Sequence, residues 1–213
     1  MDLMGGYLLI LLVLFAGNIA LLLGNYKLNN LKATAVSAAF FIITFILINT
    51  SNYLKLDLSD YFSIIFLAIA ISTFILMLYC TRKDNLKMLF YSSIILFIIS
   101  TMSVSCQTHL EFFTGILYSL LVFIIIFVVY QLTKLLHHAK RRYSVIIGEY
   151  MSLVSILVFI LGLTYESTRN LDYTMFSSFL ILTPTYQLIY VIIGIFVVLV
   201  AGVLINDKGG NLW

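Results

Sequence analysis

The chain has 213 residues, of which 62% are hydrophobic and 10% are charged, and its mean hydropathy is +1.11. A soluble domain carries about 25% charged residues, so this chain could not cover its surface with polar groups in water. The composition excludes a disordered chain, a secreted disulfide scaffold and an ordinary soluble enzyme. It indicates an integral membrane protein.

Seven stretches are long and apolar enough to cross a bilayer core of about 30 Å, which takes roughly 20 residues in a helix. Lipid offers no hydrogen-bond partner to the backbone, so each stretch is predicted to be helical. We therefore expect one all-α domain over residues 1–213, a bundle of seven transmembrane helices. The predicted spans are Tyr7–Gly24, Leu31–Ile48, Tyr61–Tyr79, Met88–Cys106, Phe112–Leu132, Tyr143–Leu163 and Leu180–Ile205.

The cations predict the orientation of these spans, because cytoplasmic connections carry an excess of Lys and Arg. On one side lie ten of the twelve: Lys27, Lys32, Arg82, Lys83, Lys87, Lys134, Lys140, Arg141, Arg142 and Lys208. The N-terminus is therefore predicted outside, and the C-terminus in the cytoplasm or the mitochondrial matrix. The excess of Lys and Arg that gives the net charge of +3 is accounted for by the membrane orientation, so it is not evidence of nucleic-acid binding.

The cluster Lys140, Arg141 and Arg142 follows His137 and His138 directly. Its simplest role is to fix the topology. Contact with anionic lipid headgroups or with an acidic partner is the alternative. The partners expected from the sequence are thus membrane lipids and other membrane subunits.

The two cysteines end neighbouring spans at opposite membrane faces, Cys80 on the inside and Cys106 on the outside. Bridged Cα atoms lie within about 7 Å, whereas the faces are about 30 Å apart. Both are therefore predicted to be free thiols in apolar packing. The acidic start, Met1-Asp2, argues against a cleaved signal peptide, so the first span is expected to be retained.

Small residues at four-residue spacing predict the faces on which helices pack, because backbones in lipid must approach closely. The spacing occurs in Ala16-Ala20-Gly24, Ala35-Ala39 and Gly115-Ser119. Asn18 and Gln187 are interpreted as interhelical hydrogen-bonding residues. The single proline, Pro184, lies near the outer start of the seventh span, where it caps or bends a helix end.

Glu149 is the clearest ionisable residue within a predicted span, and such residues are the default functional hypothesis in membranes. It lies roughly 10 Å from the inner face. Ser152 and Ser155 follow at i+3 and i+6 and are expected to extend a polar stripe on nearly the same face. Glu149 and Ser152 are therefore candidates for a proton or ion relay. A protonated, hydrogen-bonded structural Glu149 is the alternative.

Other chemistry is not supported by the sequence. His109, His137 and His138 lie in connections rather than in spans, so haem ligands within the bundle and a metal site of usual spacing are not expected. Nucleotide-binding and hydrolase motifs do not occur. We therefore predict no cofactor and no self-contained catalytic site.

One segment, Asn52–Thr73, places an acidic and an aromatic residue directly before an apolar helix. It resembles the third helix of the NuoJ-like family of membrane subunits of respiratory complex I. Asp60-Tyr61-Phe62-Ser63 matches the opening of that helix, and Ala70-Ile71-Ser72-Thr73 occupies the position of the family's Tyr-x-Gly-Ala. The last span, Pro184–Ile205, is similar to the family's final helix.

This resemblance implies a non-catalytic membrane subunit of an NADH:quinone oxidoreductase-like complex, which supports the coupling of electron transfer to ion translocation. Two other functions remain open from the residues alone. The chain is alternatively a stand-alone transporter that uses Glu149, or a seven-helix sensor that signals through a separate partner.

Overall fold

The structure is a computed structural model that describes residues 3–26, 28–54, 59–82, 85–106, 108, 110–136 and 143–169. The predicted seventh span, Leu180–Ile205, lies outside the described residues, as do Pro184, Gln187 and the cluster Lys140–Arg142. Everything regular in the described part is helical. Six long helices are present: α1 (Leu3–Gly24), α2 (Asn30–Leu54), α3 (Phe62–Arg82), α4 (Leu86–Ser105), α5 (Phe112–Leu136) and α6 (Tyr143–Arg169).

Each of the six helices is long and apolar enough to cross a membrane. The prediction that the first six stretches are helical is thereby confirmed. Most helices extend past the apolar stretch. α2, for example, continues beyond Ile48 through Asn49, Thr50 and Ser51. The side chains of Asn49, Thr50 and Ser51 donate to backbone carbonyls three or four residues earlier, so polar residues are accommodated within the last turns.

Helix α1 is the centre of the bundle, and its transmembrane segment is buried along its whole length. It packs against α4, α5 and α6, while α2 packs against α4 and α5, and α3 against α4 and α6. A helix that is apolar all round belongs in such a central position. The helices α1, α2, α4 and α5 thus form a four-helix group, and α3 with α6 forms a closely packed pair beside it.

Three tyrosine hydroxyls donate to backbone carbonyls of α1. Tyr118 contacts the Gly5 carbonyl at 3.3 Å, Tyr150 that of Leu14 at 3.2 Å and Tyr143 that of Leu21 at 2.5 Å. Glycines of α1 make room for these rings. A Cβ placed on Gly17 would overlap the Tyr150 hydroxyl, and one on Gly24 would overlap that of Tyr143. The glycines therefore set the close approach of α5 and α6 to the central helix.

The pair α3–α6 is joined by two hydrogen bonds that cross between helices. Ser63 donates to the Gly162 carbonyl at 2.7 Å, and Ser155 donates to the Ala70 carbonyl at 2.8 Å. A Cβ on Gly162 would lie 3.1 Å from the Phe66 Cβ, so this glycine also permits a close helix contact. Nearby, four rings pack with centroids 5.5 to 6.2 Å apart: Tyr7, Phe62, Phe66 and Tyr165.

Charged side chains separate between the two ends of the bundle. Sequential helices run in opposite directions, so the starts of α2, α4 and α6 share one end, which we call the basic end. Lys32, Lys87 and Lys134 lie there, and all three are exposed. Asp60 and Glu111 lie at the other, acidic end, also exposed. The predicted segregation of charge is thus present among the described residues.

Two of the three predicted small-residue faces are buried, and one is not. Ala16, Ala20 and Gly24 are buried, as are Gly115 and Ser119. Ala35 and Ala39, however, are exposed on the outer side of α2, so that prediction was wrong. The buried side of α2 is instead formed by Ala33, Ser37, Phe40, Thr44 and Ile48. The four-residue spacing of small residues in α2 did not indicate which side of this helix faces the bundle.

Cys106 is a free, buried cysteine directly after α4, as predicted, whereas the side chain of Cys80 lies outside the described residues. Burial raises the pKa of the Cys106 thiol, which lowers the fraction of reactive thiolate at any given pH. In a Cys80→Ser variant we expect alkylation by N-ethylmaleimide at pH 7.5 to be at least about tenfold slower than in the detergent-denatured chain. Equal rates in the folded and denatured chains would contradict this burial.

Candidate functional site

Glu149 lies on the outward-facing side of α6, within the transmembrane segment Tyr143–Tyr165. It follows the start of this segment by six residues, which places it about 9 Å into the segment from the basic end. Its side chain is exposed with respect to this chain. Glu149 therefore points away from the interior of the described bundle.

Ser152 lies one turn further along the same side and is half-buried. Its hydroxyl donates to the Glu149 backbone carbonyl at 3.0 Å. The two relay candidates are therefore adjacent on α6, although the described contact joins Ser152 to the backbone of Glu149 rather than to its carboxyl group. Val145, Glu149, Ser152, Ile156, Ile160 and Leu163 form one continuous stripe, which we call the α6 outer face.

Ser155 does not belong to this face, contrary to the expectation from its spacing. It is 5% exposed and bonds to α3 through the Ala70 carbonyl. Six residues of α-helix turn by about 600°, so Ser155 is about 120° away from Glu149 around the axis. The predicted polar stripe therefore consists of Glu149 and Ser152, and Ser155 is an interhelical contact.

Most of the remaining surface at membrane depth is formed by large apolar side chains. On α6 itself, Ile156, Phe159, Ile160 and Leu163 are all exposed in the isolated chain. Every charged side chain whose environment the structure describes is also exposed. Among the described residues, Glu149 alone combines a charge with a position well inside a transmembrane segment.

The interior of the four-helix group contains a second polar feature, which the sequence analysis did not identify as a site. Buried polar side chains lie on the faces where α1, α2, α4 and α5 meet. We call this set the hydroxyl seam: Asn18, Ser37, Thr44, Ser93, Ser100, Ser105 and Ser119. Asn18 was predicted to bridge helices, and its Nδ2 donates to Ser93 Oγ on α4 at 3.2 Å, which confirms that prediction.

A signal for the buried polar side of α2 was present in the sequence. Ser37, Thr44 and Ser51 follow one another at intervals of seven residues, a spacing that keeps them on one side of α2. All three are buried. Hydroxyl residues that face lipid are not required to lie on one side of a helix. The regular spacing of Ser and Thr in α2 therefore indicated a buried polar face.

The described part of the chain contains no group of three or more His, Cys, Asp or Glu side chains placed to hold a metal ion. Comparison of the chain with protein-family models, curated proteins and solved structures gave no match.

Proposed function

We propose that this chain is a non-catalytic membrane subunit of a larger energy-converting complex, in which it supports the coupling of electron transfer to ion translocation. The observation that carries the proposal is the position of Glu149. A carboxyl group lies well inside a transmembrane segment, yet it is turned away from the bundle of its own chain.

An outward-facing carboxylate is unfavourable in lipid. A charged residue at the centre of a membrane helix costs about 2.5–3.5 kcal/mol on insertion scales, and such residues almost always face protein or a water-filled cavity. The outward position of Glu149 on α6 suits contact with a neighbouring subunit in the membrane. The apolar residues along the rest of the α6 outer face, Ile156, Ile160 and Leu163, suit a second transmembrane helix.

The outward position of Glu149 supports a role for this residue in ion translocation at a subunit interface. Ionisable side chains inside membrane bundles commonly mark ion pathways and proton relays. Within the described residues, the interior of this chain offers neutral Asn, Ser and Thr side chains rather than charged ones. An ion path through the assembly is proposed to include Glu149 together with groups of the partner.

The complex I-like part of the proposal is supported by the resemblance of Asn52–Thr73. In the structure, Asp60 and Tyr61 belong to an exposed 3₁₀ turn, and the buried Phe62 begins α3. The helix is regular through Ala70 and Thr73. A coupling role for α3 in this chain would thus work through movement of the helix as a rigid unit.

The proposal includes the orientation of the chain in the membrane and a seventh transmembrane helix. With the basic end in the cytoplasm or matrix, the N-terminus lies outside, and a seventh helix over 180–205 returns the C-terminus to the inside. The membrane is then the cytoplasmic membrane of a prokaryote or the mitochondrial inner membrane. The expected partners are other membrane subunits of a respiratory-type complex, with lipids around them.

Co-purification tests the proposal. The chain, tagged at its C-terminus and extracted in digitonin, is expected to migrate on a native gel well above its own 24.2 kDa and to bring further membrane subunits with it. Those subunits should include quinone-oxidoreductase components by mass spectrometry. Migration as a lone 24.2 kDa chain with its detergent, after the mildest extraction that solubilises it, would contradict the proposal.

A stand-alone transporter is the second candidate, and the hydroxyl seam favours it. Buried hydroxyl and amide groups on four neighbouring helices offer polar contacts to a solute that moves between these helices. If the chain transports by itself with Glu149 as its ion site, reconstituted vesicles containing only this chain will take up solute. Glu149→Gln will then abolish ion-coupled uptake, and unchanged uptake would exclude that role.

A further inference from the structure

Near the acidic end, the central helix α1 contacts α5 and α6 on nearly opposite sides. The Gly5 carbonyl accepts from Tyr118 of α5, and a Cβ on Gly5 would lie 3.2 Å from that hydroxyl. Tyr7 packs instead against Tyr165 of α6 at a centroid distance of 5.7 Å, and its hydroxyl lies 3.1 Å from Thr168 Oγ1. Two residues of α-helix turn by about 200°, so Gly5 and Tyr7 point in nearly opposite directions around the axis.

Towards the basic end, the same two helices converge on α1. A Cβ on Gly24 would lie 2.7 Å from Thr133 Cβ of α5 and would overlap the Tyr143 hydroxyl of α6. Since α2 packs against α4 and α5, it lies over a different side of α1. The helices α5 and α6 therefore form the two walls of a wedge-shaped groove along α1, which widens towards the acidic end. We call it the α5–α6 groove.

The floor of the α5–α6 groove is buried. At about 100° per residue, Gly6, Leu9, Ile10 and Val13 point between the directions of Gly5 and Tyr7, and thus between α5 and α6. Leu9 and Ile10 are nevertheless only 6% exposed, Val13 is 5% exposed and Gly6 is buried. Of the described helices, those that pack against α1 extensively are α4, α5 and α6, and they leave this side of α1 between them. Its burial indicates a further element over the floor.

The two walls show the same kind of burial. On α5, Leu121 lies about 120° around the helix from Gly115, which faces Ile48 of α2. On α6, Leu157 lies about 200° from Ser155, which bonds to α3. Both leucines thus face away from the helix that covers the other flank. They are nevertheless partly buried and pack against the hydrophobic core, as residues beside an occupied groove would.

The chain that follows α6 is long enough to fill this groove. Helix α6 ends with Arg169 at the acidic end, where the groove is widest. The other stretches outside the described part have six residues or fewer. The predicted span Leu180–Ile205 has 26 residues, or about 39 Å of helix against a bilayer core of about 30 Å. The connection 170–179 reaches up to about 33 Å, whereas adjacent helix axes lie about 8–10 Å apart.

We propose that the C-terminal segment 180–205 packs as a transmembrane helix in the α5–α6 groove, against Gly6, Leu9 and Val13 of α1. The inference rests on the seventh helix of the proposed topology, but not on the partner subunits. Gly6 allows the backbones of the two helices to approach closely. With the segment in place, α1 is enclosed on all sides by helices of its own chain, as suits a helix that is apolar all round.

Disulfide crosslinking within the full chain tests this placement. In a Cys80→Ser, Cys106→Ala background with a protease site inserted in 170–179, Val13→Cys is combined in turn with a single cysteine replacement at each position of 189–195. Val13 lies about 15 Å from the start of α1, and 189–195 lie at a similar depth counted from residue 180. The chains are oxidised with copper–phenanthroline and then cleaved, so that only a crosslink keeps the two fragments together.

The matched control is the same scan with Ile42→Cys, which lies in the middle of α2 on its outer side. Because bridged Cα atoms must lie within about 7 Å, one or two positions of the scan are expected to crosslink to Val13→Cys at least about fivefold more than to Ile42→Cys. Crosslinking to Val13→Cys no stronger than to Ile42→Cys at every position would overturn the placement. Size-exclusion profiles identify any variant that fails to fold. Co-purification of partner subunits does not depend on this outcome, so the two proposals fail separately.

Lipid-phase photolabelling provides a second measurement on the unaltered chain. A carbene generated from a hydrophobic aryl diazirine in the bilayer labels side chains that face lipid. Leu9 and Val13 are expected to be labelled at least about tenfold less than Ile42 and Ile46, which are both 55% exposed on the outer side of α2. Equal labelling of the two pairs would show that lipid fills the groove and would overturn the proposal.

Discussion

Replacing Gly24 by alanine is expected to destabilise the bundle by about 1–3 kcal/mol, the usual effect of adding a methyl group to a closely packed site. The new Cβ would lie 2.7 Å from the Thr133 Cβ and would overlap the Tyr143 hydroxyl. A Cβ held by backbone cannot rotate away, so α5 or α6 must move from α1. The change will appear as a lower apparent Tm in detergent and a lower yield of monodisperse protein.

Gly115→Ala is the matched control, because a Cβ there would meet the Ile48 Cγ2 at 3.4 Å, an ordinary van der Waals distance. We expect Gly115→Ala to melt within experimental error of the unaltered chain. If Gly24→Ala were as stable as Gly115→Ala, the close packing of α5 and α6 on the central helix would be wrong.

Glu149→Leu is expected to reduce the co-purification of partner subunits at least about tenfold. Removing one member of a buried, hydrogen-bonded polar pair at an interface typically costs about 2–5 kcal/mol. Each 1.4 kcal/mol corresponds to about a factor of ten in affinity. The chain itself should remain folded, because the Glu149 side chain is exposed on its own bundle. Quantitative mass spectrometry of the tagged complex measures the loss.

Two controls separate the contributions of charge and shape. Glu149→Gln keeps the size of the side chain and one acceptor oxygen. It should therefore retain partner subunits better than Glu149→Leu, while any proton-relay activity of the complex is lost. Glu111→Leu removes an exposed carboxyl group at the acidic end and should leave assembly unchanged. Full retention of partners by Glu149→Leu would remove the main support for an interface at this residue.

The positions of the helices could be predicted from the sequence, because uninterrupted apolar stretches can only be helical in lipid. The charged residues could be assigned to the two ends of the bundle, because nearly all of them lie between or at the ends of the apolar stretches. The directions in which the helices face could not be predicted. These helices are apolar all round, and lipid is as apolar as a protein interior, so hydrophobic periodicity carries little information about packing.

Particular residues show this limit. Ala35 and Ala39 have the spacing of a packing face, yet Ser37 and Thr44 occupy the buried side of α2. The residues that do determine the packing are polar or small: tyrosine hydroxyls paired with α1 carbonyls beside glycines, and serines that bond across α3 and α6. Glu149 was identifiable from its charge, but its outward direction depends on the packing of α6 against α3 and α1.

Photo-crosslinking from Ile156 is the sharpest test of a subunit interface on the α6 outer face, because this residue lies two turns from Glu149 on that face. Ile156 is replaced by p-benzoylphenylalanine in the tagged chain and irradiated in native membranes, with Ile46 on the outer side of α2 as a comparison. The proposal predicts a crosslink from position 156 to a different membrane protein, identified by mass spectrometry. Crosslinks from position 156 to lipid alone, or only to a second copy of this chain, would contradict it.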